Sequence, residues 1–211
     1  MEKGVVQAVA QHAEEVLGRE RFRYVSAVVA NCKMLALELE AQGEDVSTLD
    51  MDALVIAGYL HDISIVADSL QNHHLKSAEI AVEFLHELDL PAGLIAKVEQ
   101  AILIHTTAVQ EEAQRASVPL EGRILYDADK LGRLSGLSVV TALIELGARY
   151  PNRPMTGDVL AAVLRHIEER FVELYQSLNT APAREMAQVK FGNTLAFLDG
   201  VIEHLSDATP V

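Results

Sequence analysis

The segment DMDALVIAGYLHDI, residues 50–63, does most to decide the fold of this chain. Asp50 is a typical N-cap residue, and the apolar run after it predicts a helix that ends near His61 and Asp62. These two side chains can converge there because the chain is leaving helical geometry. Burying an imidazole and a carboxylate costs free energy unless they are paired, hydrogen-bonded or bound to a metal ion. The segment therefore predicts a buried polar site at a helix end.

Three other segments also set ionisable residues among apolar ones: residues 72–75 (NHHL), 101–105 (AILIH) and 124–131 (ILYDADKL). Each has an ordinary explanation by itself, such as a core histidine with hydrogen-bonded nitrogens or a carboxylate paired with a nearby lysine or arginine. Taken together, histidine and carboxylate side chains without a thiolate suit Mn²⁺, Mg²⁺, Fe²⁺, Ni²⁺ or Zn²⁺, and the ligand types do not choose among these ions. The four segments therefore predict a divalent metal site.

Helical periodicity dominates the rest of the chain. Apolar residues recur at spacings of three and four along residues 75–85 and 94–105, and no comparably clear strand alternation appears. Glycine and proline punctuation, for example at Gly43, Pro91 and Pro119, divides the chain into about nine helices. The length suits one hydrophobic core. We therefore expect an all-α protein with a single compact domain over residues 1–211.

The charge balance narrows the choice of partners. With 31 acidic and 17 basic residues the net charge is −14, which disfavours nucleic acid and an anionic membrane surface. A small phosphorylated molecule stays compatible if a cation or local basic residues reverse the field inside a pocket. Cys32 is the only cysteine, and no secretory signal or apolar stretch long enough to span a membrane is present. We therefore expect a soluble, cytoplasmic protein; its oligomeric state is left open.

The order and spacing of these motifs resemble the HD-domain superfamily of metal-dependent phosphohydrolases. The shared elements are the His-Asp pair at 61–62, HLKSAEIA at 74–81, AILIHT at 101–106 and DADKL at 127–131. The resemblance is closest to small stand-alone HD hydrolases. It implies a multi-helical HD bundle with a motif core over about residues 20–135, on which C-terminal helices over residues 136–208 pack.

The resemblance assigns His61, Asp62 and Asp129 to the metal ion. In the family's last motif the ligand is the aspartate two positions before the leucine, which is Asp129 here. Asp127 then becomes a residue of the outer coordination sphere or a helix cap. A divalent ion held in this way would activate a water molecule for attack on phosphorus, and Asp62 would also orient that water.

The same resemblance implies a set of residues around the phosphate. His74 and His105 correspond to accessory histidines, which bind phosphate oxygens or hold a second metal ion. His105 is the preferred general acid for the leaving oxygen, because an imidazole titrates close to working pH. Lys130 and Arg133 would add positive charge beside the phosphate, and a solvated salt bridge is the alternative role for each.

The chain departs from the family pattern at its first position. The family opens with a histidine on an early helix, followed by an apolar residue four positions on and a small one eight positions on. Tyr24, Val28 and Cys32 fit that frame here, and His12 lies too far upstream to replace the histidine. A phenol titrates near ~10 and is therefore a poor ligand for a divalent ion at neutral pH.

The sequence thus leaves two functions of different classes open. The first is a metal-dependent phosphohydrolase that acts on a small phosphate ester or a nucleotide. The second is a degenerate, non-catalytic HD-fold binding or sensor protein that keeps the pocket but lacks productive metal binding. A structural helical protein with scattered histidines would be a third, and it predicts no metal.

Overall fold

The computed structural model describes residues 3–65, 72–106, 117–134, 136–152 and 156–207, and it confirms the predicted all-α fold. Eight helices and no strand occur in these residues. The helices are α1 (Lys3–Ala41), α2 (Met51–Leu60), α3 (His73–Glu87), α4 (Ala92–Ile104), α5 (Leu120–Arg133), α6 (Gly136–Arg149), α7 (Gly157–Ser177) and α8 (Ala181–Asp207). Helix α1 is broken at Gly18, which has a φ of 74°.

Helix α2 begins as the sequence predicts. The Asp50 side chain accepts hydrogen bonds from the backbone N–H groups of Asp52 and Ala53, each at 3.1 Å. The helix packs closely on α1 at Gly58, where a Cβ atom would lie 2.8 Å from Cγ2 of Val29. Because a larger residue would clash there, Gly58 allows the last turn of α2 to approach α1 closely.

Helices α3 and α4 pack on each other and on α2. Pro91 is the N-cap residue of α4, which matches the predicted helix start there. Helix α3 begins at His73, and α4 ends one residue before His105. Two histidines are therefore carried at helix ends, near the turn that follows α2.

Helix α5 is buried along most of its length, from Leu120 to Leu131 apart from the half-buried Arg123. Its first turn is tied to α2, because a side-chain oxygen of Glu121 accepts a hydrogen bond from the Asp50 backbone N–H at 2.8 Å. A helix with this burial can carry charged residues only if each finds a partner. Asp127, Asp129 and Lys130 are all buried on it.

The chain divides into two compact units. The first comprises Met1–Gly132 and Asn179–Ala183, and the second comprises Arg133–Leu178 and Arg184–Val211. The second unit has an aromatic cluster of Phe171, Tyr175 and Phe191. The single domain over residues 1–211 stays a prediction. No single helix in the described part of the chain is long and apolar enough to cross a membrane.

Candidate metal centre

His61 lies in the turn directly after α2 and is fully buried. Its Nδ1 atom lies 2.9 Å from the carbonyl oxygen of Gly58, so Nδ1 carries the proton and donates it to that oxygen. Its Nε2 atom is buried and has no hydrogen-bond partner among the described residues. A metal-binding histidine commonly has this arrangement, because the backbone hydrogen bond fixes the ring and leaves the other nitrogen's lone pair available.

His105 repeats this arrangement at the end of α4. Its Nδ1 atom is hydrogen-bonded to the carbonyl oxygen of Ile102, and its buried Nε2 atom has no hydrogen-bond partner within the described ranges. The rings of His61 and His105 meet edge to face, with centroids 5.0 Å apart. Burial lowers the pKa of His105, which keeps its imidazole neutral and able to bind a cation.

Asp62 brings a carboxylate to the same point. Its Oδ2 atom lies 3.6 Å from Nε2 of His61, and its Oδ1 atom lies 3.8 Å from Nε2 of His105 and 3.4 Å from Nε2 of His73. Burial acts to raise the pKa of Asp62, but the interaction with His105 and the charge of His61 outweigh it and lower the pKa to about 2. The carboxyl group is therefore ionised at neutral pH.

These residues fit a divalent metal ion. One ligand atom from each of His61, Asp62 and His105 lies within 4.8 Å of the other two. Nε2 of both histidines and Oδ1 of Asp62 are buried without a hydrogen bond from any described residue. Buried polar atoms are rarely left in that state, and an ion that binds nitrogen and oxygen ligands would satisfy all three.

Asp129 is differently placed. It is fully buried on α5, and its Oδ1 atom accepts a hydrogen bond from the hydroxyl of Tyr24 at 2.6 Å. Its Oδ2 atom lies 2.6 Å from Nζ of Lys130, which also lies 4.8 Å from the ring centroid of Tyr126. Within the described residues, the set of convergent ligand atoms does not include Asp129. The assignment of Asp129 to the metal ion stays a prediction.

His73 rather than His74 comes close to Asp62. Residues on one face of a helix recur about every four positions, and the buried Ser77 and Ala81 share a face with His73. Ala78 and Leu85, on the face of His74, are buried as well, so the burial pattern by itself does not choose between the two histidines. The hydroxyl of Ser64 donates a hydrogen bond to the backbone carbonyl of His73 at 2.9 Å, which ties the start of α3 to the turn after α2.

His74 is half-buried on α3, with its ring centroid 5.8 Å from that of His73. Burial, together with the charge of His73, lowers the pKa of His74. Arg133 is exposed at the last residue of α5, and Lys130 is buried against Asp129. The predicted phosphate-binding roles of His74, Lys130 and Arg133 stay predictions.

Asp127 is hydrogen-bonded to the residues just before α8, and the outer-sphere and helix-cap roles predicted for it stay predictions. Its carboxylate accepts hydrogen bonds from the backbone N–H groups of Asn179 and Thr180, at 2.7 and 2.8 Å. The side chains of the same two residues donate as well, at 3.1 and 2.7 Å. Burial raises the pKa of Asp127, and these donors oppose that shift. The bonds fix the segment that leads into α8.

The chain belongs to the HD domain family, whose model matches residues 25–134. The match begins directly after Tyr24, and it includes His61, Asp62, His105 and Asp129. The HD-superfamily fold in general supports metal-dependent phosphohydrolases, and HD domains bind divalent metals. No curated protein sequence matches this chain.

Solved structures share this fold at low sequence identity. An HD-superfamily hydrolase from Bacillus thuringiensis aligns with a TM-score of 0.69 and 18% identity, over 99% of this chain and 100% of that chain. The Lin1889 protein from Listeria innocua aligns with a TM-score of 0.65 and 15% identity, over 95% of this chain and 97% of that chain. YpgQ from Bacillus subtilis, solved in complex with ADP, aligns with a TM-score of 0.64 and 17% identity, over 94% of each chain.

Proposed function

We propose that this protein is a metal-dependent phosphohydrolase that acts on a small phosphate ester or a nucleotide. The observation that carries the proposal is the convergence of three buried ligand atoms, from His61, Asp62 and His105, without hydrogen bonds from other described residues. A divalent ion bound there would supply the positive charge that acidifies water and polarises a phosphoryl oxygen.

The chain's own side chains have separate roles in this proposal. His61 and His105 would hold the ion through Nε2, since their Nδ1 atoms are hydrogen-bonded to backbone carbonyl oxygens. Asp62 is ionised and orients the attacking water with its carboxylate. We assign His105 to the ion rather than to proton donation, because burial lowers its pKa and so leaves Nε2 without a proton to donate at neutral pH.

Proton transfer to the leaving oxygen falls to His73 instead. Its side chain is 13% exposed, whereas that of His105 is 1% exposed, so a substrate can reach it. Its Nε2 atom lies 3.4 Å from Oδ1 of Asp62, which places it beside the ion-binding atoms. In this role His73 would transfer a proton from Nε2 to the leaving oxygen of the substrate.

Support for a phosphorylated substrate comes from two sources. The HD-superfamily fold in general carries phosphohydrolases, and the structural relative YpgQ was solved in complex with ADP. A net charge of −14 would repel such a substrate, so binding depends on the local positive charge of the ion and the histidines. We therefore place nucleotides and small phosphomonoesters ahead of larger polyanions.

A binding or sensor protein without turnover is the second candidate. The observation that favours it is at Asp129, which the family resemblance assigns to the metal ion. Its two carboxylate oxygens are engaged by Tyr24 and Lys130. A site with fewer ligands would bind the ion more weakly, and a phosphate could then bind without being hydrolysed.

The deciding experiment combines metal content with turnover. Protein purified without chelator is analysed by plasma mass spectrometry, and hydrolysis of a generic phosphomonoester and a nucleotide panel is measured with and without Mn²⁺. We expect close to one equivalent of a divalent metal, with turnover lost in His61→Ala and Asp62→Asn. His86→Ala, an exposed histidine on α3, is the matched control and should keep wild-type turnover. Phosphate binding without turnover under any ion would favour the sensor protein.

A further inference from the structure

We infer that Tyr24 and Lys130 form a latch on Asp129 that keeps this carboxylate from binding a divalent ion. The latch consists of the Tyr24 hydroxyl, the Asp129 carboxylate and the Lys130 ammonium group. The ion would then be bound by His61, Asp62 and His105, without Asp129. This inference rests on the proposed function, since it assumes that the protein binds a divalent ion.

The first support is that each Asp129 oxygen has its own donor. The Tyr24 hydroxyl is 2.6 Å from Oδ1, a length typical of an O–H donor on an ionised carboxylate. The same hydroxyl lies 3.2 Å from the backbone carbonyl oxygen of Asp129. Nζ of Lys130 is 2.6 Å from Oδ2, and both side chains of this ion pair are almost completely buried.

The second support is that the surroundings of Tyr24 accommodate the phenol. A Cβ atom at Gly132 would lie 3.3 Å from Cε2 and 3.4 Å from the hydroxyl oxygen of Tyr24, so glycine leaves the space that the ring needs. Asn31 lies seven residues after Tyr24, on the same face of α1. Its side-chain amide donates a hydrogen bond to the carbonyl oxygen of Ala128 at 3.3 Å. Helices α1 and α5 are thus joined by a further polar contact beside the latch.

The third support is electrostatic. Lys130 already supplies the positive charge that a buried carboxylate requires, and the Tyr126 ring stabilises the ammonium group from another side. For Asp129 to bind a divalent ion, the ammonium group of Lys130 would have to move away from the Asp129 carboxylate or remain close to the positively charged ion. A neutral phenol cannot replace the missing histidine, because it would first have to lose a proton with a pKa of ~10.

The test measures Mn²⁺ binding by isothermal titration calorimetry and by electron paramagnetic resonance, which counts free Mn²⁺. The variants are His61→Ala, Asp129→Asn and the charge-neutral pair Asp129→Asn/Lys130→Met, which leaves no unpaired ammonium group. We expect His61→Ala to weaken Mn²⁺ binding by about 100-fold, and both Asp129 variants to stay within about 3-fold of the wild type. Circular dichroism checks that each variant is folded.

A fourth variant, Tyr24→His/Lys130→Met, removes the latch and restores a histidine. We expect it to bind Mn²⁺ more tightly or to take up a second equivalent, and adding Asp129→Asn should abolish that gain. A wild type that binds Mn²⁺ and loses it in both Asp129 variants would overturn the latch and leave the hydrolase proposal standing.

The remaining outcomes separate the two proposals further. A wild type that binds no Mn²⁺, with Asp129-dependent binding in Tyr24→His/Lys130→Met, would support the latch and overturn the hydrolase. If neither protein binds Mn²⁺, both proposals are wrong.

Discussion

The turn after α2 and helix α5 both place aspartates in the interior of the protein, but the hydrogen bonds to these aspartates differ. On α5, the Asp127 carboxylate accepts hydrogen bonds from Asn179 and Thr180, and both Asp129 oxygens have protein donors. In the turn after α2, Oδ1 of Asp62 is buried without a hydrogen bond from any described residue, as are the Nε2 atoms of two histidines beside it.

The carboxylates of Asp127 and Asp129 are thus hydrogen-bonded within the protein, whereas Oδ1 of Asp62 is left for a ligand. A buried polar group that is hydrogen-bonded inside the protein contributes to folding stability, whereas a group left unsatisfied lowers it. Native proteins keep few such groups, and those that persist commonly bind an ion, a water molecule or a substrate. Under the proposed function, the turn after α2 would bind the ion, while the hydrogen-bonded carboxylates of α5 would stabilise the fold.

The largest expected effect comes from removing Asp127. Asp127→Ala takes the acceptor away from four buried donors on Asn179 and Thr180. We expect the free energy of unfolding to fall by about 4 kcal/mol, because each donor is left without a partner in the interior. Asp127→Asn keeps one acceptor oxygen and should cost less. Urea unfolding measures both, and a loss under about 1 kcal/mol for Asp127→Ala would contradict the structural role.

Low pH should reduce the free energy of unfolding of the metal-free protein, because Asp62 becomes protonated. Its pKa is lowered from 3.8 to about 2 in the folded state. A lowered carboxyl pKa gives stability that is present above the unfolded-state value and is lost as the pH falls through the folded-state value. Relative to the protonated carboxyl group, the ionised form should favour the folded state by about 2 kcal/mol above pH 4, a difference that is lost between about pH 4 and pH 2.

The measurement for Asp62 is the free energy of unfolding against pH in the presence of a chelator, for the wild type and Asp62→Asn. The asparagine variant should lack this part of the acid dependence. Parallel curves for the two proteins would show that Asp62 is not held as an ionised group by its histidines.

Gly58→Ala should disturb the turn after α2, because Gly58 lies in the last turn of that helix. A Cβ atom there would lie 2.8 Å from Cγ2 of Val29, and the Gly58 carbonyl also holds Nδ1 of His61. We expect a loss of about 1–2 kcal/mol from overpacking, together with weaker Mn²⁺ binding. Gly93→Ala is the control: it is helical with open space around it, and should stabilise by up to about 1 kcal/mol.

The smallest effect is expected at Gly132, which contacts Tyr24 in the latch. A Cβ atom there would be 3.3 Å from the ring, which is tight but can be relieved by a small shift. Gly132→Ala should change stability by under about 1 kcal/mol, because better helix propensity offsets the crowding. A double-mutant cycle with Tyr24→Ala should show a coupling of at least about 0.5 kcal/mol, and additivity would contradict the contact.

The sequence predicted the helices and their ends well where a local signal existed. Asp50 caps α2 through its side chain, and Pro91 precedes α4, as expected. These features depend on neighbouring residues only, since a capping side chain satisfies backbone N–H groups within its own first turn. Gly18 shows the limit of local signals: its positive φ breaks α1, although the residues on both sides are helical.

His61, Asp62 and His105, three of the residues that the sequence singled out, come together in the fold, and the roles assigned to them stay predictions. The family resemblance pointed to His74, whereas Nε2 of the adjacent His73 lies 3.4 Å from Oδ1 of Asp62, and the two side chains differ in direction by about 100° around the helix. Which of the two comes close to Asp62 depends on how α3 is fixed to the turn after α2 by Ser64, a contact between residues distant in sequence.

The sequence by itself determined the fold class, through periodicity and helix caps, and the family, through the resemblance of its motifs, because both are encoded in short segments. Only the tertiary structure decided what each buried aspartate does. Asp127 and Asp129 are two residues apart in one motif, and their partners are 52 and 105 positions away, at Asn179 and Tyr24. Such partners are set by how α1, α5 and the start of α8 pack in the folded chain.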